Sequence, residues 1–190
     1  MPIWGWIIIG VIALIAIYVV STYNGFVSLR NKVDDQTSQI DVQLKKRFDL
    51  IPNLVETVKG YTKHEKETLE GVINARNKYA TADNLGDQLK ADGELTNAIN
   101  KLFALTEAYP DLKANTNFIQ LQTDLKETED KISVARQFYN DTVLRYNNMV
   151  EKVPSNLVAS LCKFEKEPFF KIDEAEKEAP KVSFDDKKEA

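Results

Sequence analysis

FIQLQTDLKETEDKISVARQFYNDTVLRYNNMVEKV, residues 118–153, carries the pattern that decides the fold. Phe118, Leu121, Leu125, Ile132, Ala135, Tyr139, Thr142, Tyr146, Met149 and Val153 recur at steps of three and four for about five heptads. That spacing keeps one stripe of a helix turned toward a neighbour, whereas a strand alternates its faces with period two. Pro154 ends the pattern because it has no N–H to continue the helical ladder.

The same signature extends upstream. Leu95, Ile99, Leu102, Leu105 and Tyr109 predict a shorter helix, weakened at Gly93 and stopped by Pro110. Thr81 to Asp87 reads as a loop by composition. Leu54, Val58, Tyr61, Leu69, Val72 and Tyr79 predict a helix of about 25 residues, with Pro52 in its first turn and Asp49 as its cap. Before it, Phe26, Val33, Ile40, Leu44 and Phe48 mark a helix with no breaker before Ile51. Period-two alternation occurs only at Lys181 to Phe184. Four amphipathic stripes joined by short loops predict an all-α fold, an antiparallel up-and-down bundle of about four long helices.

From Ile3 to Val20 no side chain is charged, and 18 residues of helix span about 27 Å, close to the hydrocarbon thickness of a bilayer. Ile3, Trp4, Trp6, Ile9, Val11, Leu14, Ile17, Tyr18 and Val20 are the expected anchor residues, with Trp and Tyr toward the two headgroup layers. A cleaved signal peptide would need a basic start and a small-x-small cleavage site, neither of which is found here. The first bundle helix has no breaker and is expected to run straight out of the membrane. Arg30 and Lys32 flank the C-terminal end of the anchor and favour a soluble part on the cytoplasmic side. The expected organisation is an anchor over 1–22, a bundle over 23–162 and a charged, aromatic tail over 163–190.

Composition excludes several functions. Across 190 residues, 25 Lys and Arg are interleaved with 29 Asp and Glu for a net charge of −4, so no basic stripe exists for nucleic acid. The single cysteine, Cys162, allows neither an internal disulfide nor a cysteine-based metal cluster. No Gly-rich phosphate loop appears. His64 lies beside Glu65 and Glu67 but lacks a second nitrogen ligand, and no strand–turn–helix elbow presents a serine to it. No enzyme activity, metal or cofactor is expected.

The candidate interaction residues are Lys45, Lys46, Arg47, Asn140, Asn147, Phe169, Phe170, Val182 and Phe184. On a continuous helix Lys45 stands 25 residues beyond Val20, about 37 Å, far outside the ~8 Å Debye length. Lys45-Lys46-Arg47 therefore reads as a solvated face that pairs with nearby acids, or that meets another subunit. Tyr139-Asn140 and Tyr146-Asn147 repeat one heptad apart and share a face. Their amides either cross-link helices within the bundle or line a contact between protomers. The dense mixed charge of the tail fits a solvated, mobile segment, whereas its Phe164, Phe169, Phe170, Ile172, Val182 and Phe184 fit one that docks along the bundle or on a neighbouring subunit; both readings stay open.

Three blocks carry a family likeness: YNGFVSLRNKV at 23–33, IDVQLKKRFDLIPNLVETVKGY at 40–61 with His64-Glu65, and EAYPDLKAN at 107–115. Asn117-Phe118, Leu121-Gln122, Arg136, Tyr139-Asn140, Tyr146-Asn147 and Pro180 to Phe184 extend them. Over nearly its whole length the sequence resembles the LemA family of bacterial membrane proteins. One departure is Cys162-Lys163-Phe164, where a glycine-phenylalanine pair is expected. The resemblance implies a membrane-anchored helical bundle, and a relative tied to the magnetosome membrane suggests membrane organisation. The leading expectation is a structural or scaffolding protein whose partners are the lipid bilayer, further copies of itself and other membrane proteins. The alternative is a membrane-bound sensor or ligand-binding module acting through a separate partner.

Overall fold

The computed structural model describes residues 2–62, 65–82 and 85–170, and the regular elements among them are all helices. In chain order these are α1 (Ile3–Lys59), α2 (Lys66–Ala80), α3 (Leu85–Thr106), α4 (Pro110–Lys113), α5 (Thr116–Glu151) and α6 (Ser155–Cys162). The fold is all-α, as the spacing predicts. The chain divides into two units, one of residues up to Val33 together with those from Tyr139 onward, the other Asp34–Phe138.

In the Asp34–Phe138 unit, Ile51, Leu54 and Val58 of α1 share a core with Leu69 and Val72 of α2, Leu95, Ile99 and Leu102 of α3, Leu112 of α4, and Phe118 and Leu125 of α5. Polar contacts fix the helix directions. Tyr61, just past α1, meets Asn115, just before α5, at 2.8 Å. Arg47 lies as far before Tyr61 as Glu129 lies after Asn115, and these two also meet, at 3.2 Å. Within this unit α1 and α5 are therefore antiparallel. Lys78 near the end of α2 pairs with Glu94 of α3 at 2.6 Å, so these two form a helical hairpin.

The helix start expected at Pro52 is corrected. Pro52 lies inside α1, which continues to Lys59. A proline there denies the Phe48 carbonyl its usual partner, the N–H four residues on. Arg76 of α2 supplies the replacement: its Nε donates to the Phe48 carbonyl at 3.4 Å while its guanidinium lies 3.7 Å from the centre of the Phe48 ring. Asp49, expected to cap, pairs with Lys45 one turn back. The break falls instead at Gly60 to Thr62, where Thr62 turns its N–H and hydroxyl to the Val58 carbonyl. α3 begins ten residues earlier than its first stripe residue, Leu95, and runs through Gly93.

In the other unit Phe26, Tyr146, Val158 and Ala159 form the core, with Val19, Leu29, Met149, Val150 and Phe164 packed around them. Gly25 permits the close approach of Met149, whose Cε would stand 3.3 Å from a Cβ at that position. α5 ends at Glu151, and α6 follows a cis Val153–Pro154 bond. Lys163 terminates α6 in the left-handed conformation, φ 57° and ψ 41°, where Phe164 N–H reaches back to the Ala159 carbonyl. A side chain there costs about 1 kcal/mol that glycine avoids, so the departure at Lys163 falls on the position that most favours glycine. Ile3, Trp4, Trp6, Ile9, Val11, Leu14, Ile17, Tyr18 and Val20 are exposed in the isolated chain, from 39% at Tyr18 to 78% at Ile3. α1 passes through residues 22 and 23 without a break.

Candidate functional site

Two polar constructions stand out, one in each unit. The first is a clamp on α5. Asn147 donates from Nδ2 to the Glu167 carbonyl and accepts the Glu167 N–H at Oδ1, both at 2.9 Å. Asn140 does the same to Phe170, at 2.9 and 2.8 Å. Each side-chain amide thus presents one donor and one acceptor to a single residue, as a neighbouring strand would. The spacing follows from geometry. A heptad rises about 10.5 Å along a helix, and three residues of extended chain cover about 10 Å. The segment also runs opposite to α5, since the higher-numbered residue meets the lower-numbered asparagine.

Aromatic residues flank the clamp. The Tyr139 hydroxyl donates to the Pro168 carbonyl at 2.9 Å, and its ring meets Phe170 edge to face with centroids 4.2 Å apart. Phe164 stacks on Phe26 at 4.7 Å, and Tyr146 meets Phe26 edge on. Burial pushes the Tyr146 hydroxyl up, Glu167 adding to the shift and Arg30 opposing it.

The second construction is an ion network inside the Asp34–Phe138 unit. Arg47, only 2% exposed, reaches Asp92 at 2.9 Å, the Thr96 hydroxyl at 2.8 Å and Glu129 at 3.2 Å. The other oxygen of Asp92 is paired with Arg136. Two cations and two anions balance, which is the condition for keeping charges away from water. The Nε atoms of both arginines are buried with no hydrogen-bond partner among the described residues. Burial, then Asp92 and Asp41, push the nearby Tyr79 phenol up to about 12, with Arg136 opposing. The network holds α1, α3 and α5 at one level through hydrogen bonds that are directional, so it fixes register; it presents no nucleophile–base pair.

The structure scatters the residues singled out by sequence. Lys45 and Lys46 lie on the surface as expected, but Arg47 does not: it faces inward and pairs with acids of α3 and α5. Its position explains why, because Arg47 falls between Leu44 and Ile51 on the stripe that packs inward. Asn140 and Asn147 bind within the chain, but to the backbone of the segment after α6 rather than between helices. Phe170 is buried and Phe169 is 43% exposed. Val182, Phe184 and His64 lie outside the described residues. Among the described residues no group of three or more His, Cys, Asp or Glu is arranged to hold a metal. Asp92, Arg136 and Glu129 were not foreseen. Asp92 continues the Leu95, Ile99, Leu102 stripe, and Arg136 stands between Ile132 and Tyr139, so a charge on an apolar stripe was the available signal.

Comparison with known proteins gives these features a setting. Magnetosome protein MamQ 2 of Paramagnetospirillum magneticum is 25% identical over 197 aligned residues, covering 89% of this chain and 72% of that protein. Magnetosome protein MamQ of Magnetospirillum gryphiswaldense is 24% identical, covering 85% and 70%. Protein LemA of Metamycoplasma hominis is 28% identical over 134 residues, covering 68% and 60%. The sequence profile of the LemA family matches residues 36–184, which takes in most of the bundle, the ion network and the clamp. The chain belongs to the LemA family.

Proposed function

We propose that this membrane-associated LemA-family protein is an anchored scaffold that associates with further copies of itself and organises membrane or envelope proteins. The observation that carries the reading is a surface groove between α1 and α5, about 460 Å³, lined by Gln36, Gln39 and Gln43 on one side and Glu127, Asp130, Lys131, Val134, Ala135 and Phe138 on the other. Both walls repeat at steps of three and four, the seam into which another helix packs. Val134 is 50% exposed there, and the groove is open along its side rather than enclosed, which favours a helix over a small molecule as its occupant. Exposed apolar surface rimmed by polar residues is characteristic of association sites. Tethering on one membrane raises the effective concentration of copies, so weak lateral contacts suffice. The magnetosome proteins among the relatives agree with a membrane-associated protein. Arg30 and Lys32 support a bundle on the cytoplasmic side.

Light scattering and electron microscopy of the full chain in mild detergent test the proposal. Multimers of defined symmetry are expected, and Val134→Glu, which puts a charge into the seam, should shift them toward monomer. A wild-type chain that stays monomeric at high concentration removes the reading. A bound small molecule in native mass spectrometry would favour the sensor alternative.

A further inference from the structure

α6 carries no charged residue from Ser155 to Cys162, yet it buries only one side. Val158 and Ala159 face the core shared with Phe26 and Val19. Leu157 and Leu161, one turn apart, are 68% and 77% exposed, and Val153 just before the helix is 78% exposed. Two leucines on one exposed face, with a third exposed aliphatic residue just before the helix, are an unfavourable arrangement for a helix of eight residues.

The depth at which α6 packs offers a resolution. Its core partner Val19 belongs to the apolar run of α1, and charge first returns to α1 at Arg30. The uncharged stretch Ile3–Leu29 therefore spans 27 residues, about 40 Å, which matches the hydrocarbon together with both headgroup layers rather than the hydrocarbon alone. Val158 and Ala159 of α6 share one core cluster with Phe26, against which Val19 and Leu29 also pack, the part of that stretch that brackets the lipid–water boundary. Exposed Lys152 and Lys163 flank it, placed to reach lipid phosphates, while Glu151 is engaged by Lys166.

We infer that α6 is a second membrane contact, lying in the headgroup layer beside the anchor with Leu157 and Leu161 in the lipid. The inference rests on α1 spanning the bilayer. What covers the exposed leucines is lipid, because the same small core holds both α6 and the end of the membrane run, and because the apolar face is bordered by lysines as interfacial helices are. α6 then resists tilting and rotation of the anchor: turning α1 would lift the two leucines out of the membrane.

The test uses the full chain in a Cys162→Ser background, reconstituted in vesicles of phosphatidylethanolamine and phosphatidylglycerol. A nitroxide is placed in turn at Leu157→Cys, Leu161→Cys, Leu14→Cys and Asp141→Cys. Collision with oxygen, which concentrates in lipid, is compared with collision with a water-soluble nickel chelate. The oxygen-to-nickel ratio at 157 and 161 should exceed that at the exposed Asp141 several-fold and fall below that at Leu14. Equal ratios at 157, 161 and 141 overturn the inference while leaving the anchor in place. Shielding from both reagents at 157 and 161 also overturns it, because a protein rather than lipid then covers the face. A water-like ratio at Leu14 overturns the anchor and this inference with it.

Discussion

Asp92 holds two guanidinium groups at once, and that asymmetry sets the cost of losing each member of the network. Asp92→Asn keeps the shape but removes the carboxylate that Arg47 and Arg136 share, leaving the buried Arg47 only Glu129 at the edge of the network. Stranding buried charge costs about 3 kcal/mol or more. Arg47→Met removes a cation whose partners have other recourse: Asp92 keeps Arg136, and Glu129 is 46% exposed and returns to water. That change is expected to cost about 1 kcal/mol. Urea unfolding of the two variants checks the order, and equal losses would show that the carboxylate is not the centre of the network. Read from sequence, Arg47 sits on a solvated face with Lys45 and Lys46; its place between Leu44 and Ile51 was the signal passed over, and its partners could not be read at all. The acids that meet Arg47 are 45 and 82 residues away, and only the packing of three helices brings them together.

At the scale of elements, the asparagine pair on α5 shows how a helix can hold an extended chain. Asn147→Ala deletes a donor and an acceptor together, leaving the Glu167 N–H and carbonyl to water. Hydrogen exchange should show the Glu167 and Phe170 amides exchanging faster by one to two orders of magnitude, on the order of 1–3 kcal/mol of lost protection, with the middle of α5 unchanged. Unaltered exchange at Glu167 would mean that Asn140, the Tyr139 hydroxyl and the aromatic contacts hold the segment without Asn147. The heptad repeat of Tyr139-Asn140 and Tyr146-Asn147 is plain in the sequence, and it does mark one face. Its partner is invisible there because the amides contact backbone atoms, which every residue possesses.

For the molecule as a whole, the all-α fold was legible because helical spacing is a collective property of five to ten positions per stripe, robust to any one of them. The same physics makes the apolar run of α1 the feature on which location depends. The full chain should remain with the bilayer through an alkaline wash and be released by detergent; recovery in the soluble fraction, shortened at its front end, would contradict anchoring. Boundaries were less legible, since a single proline weighs heavily in a local reading and lightly once a neighbour compensates for it. Compensation at Pro52 has a consequence for assembly. The Phe48 carbonyl has its substitute donor only when α2 is docked and Arg76 is in place. Until then α1 has a hinge about two turns from its end. The continuity of α1 past Pro52 is thus secured by a latch closed from outside it, and loosening that latch would open the helix at a point its own ladder cannot repair.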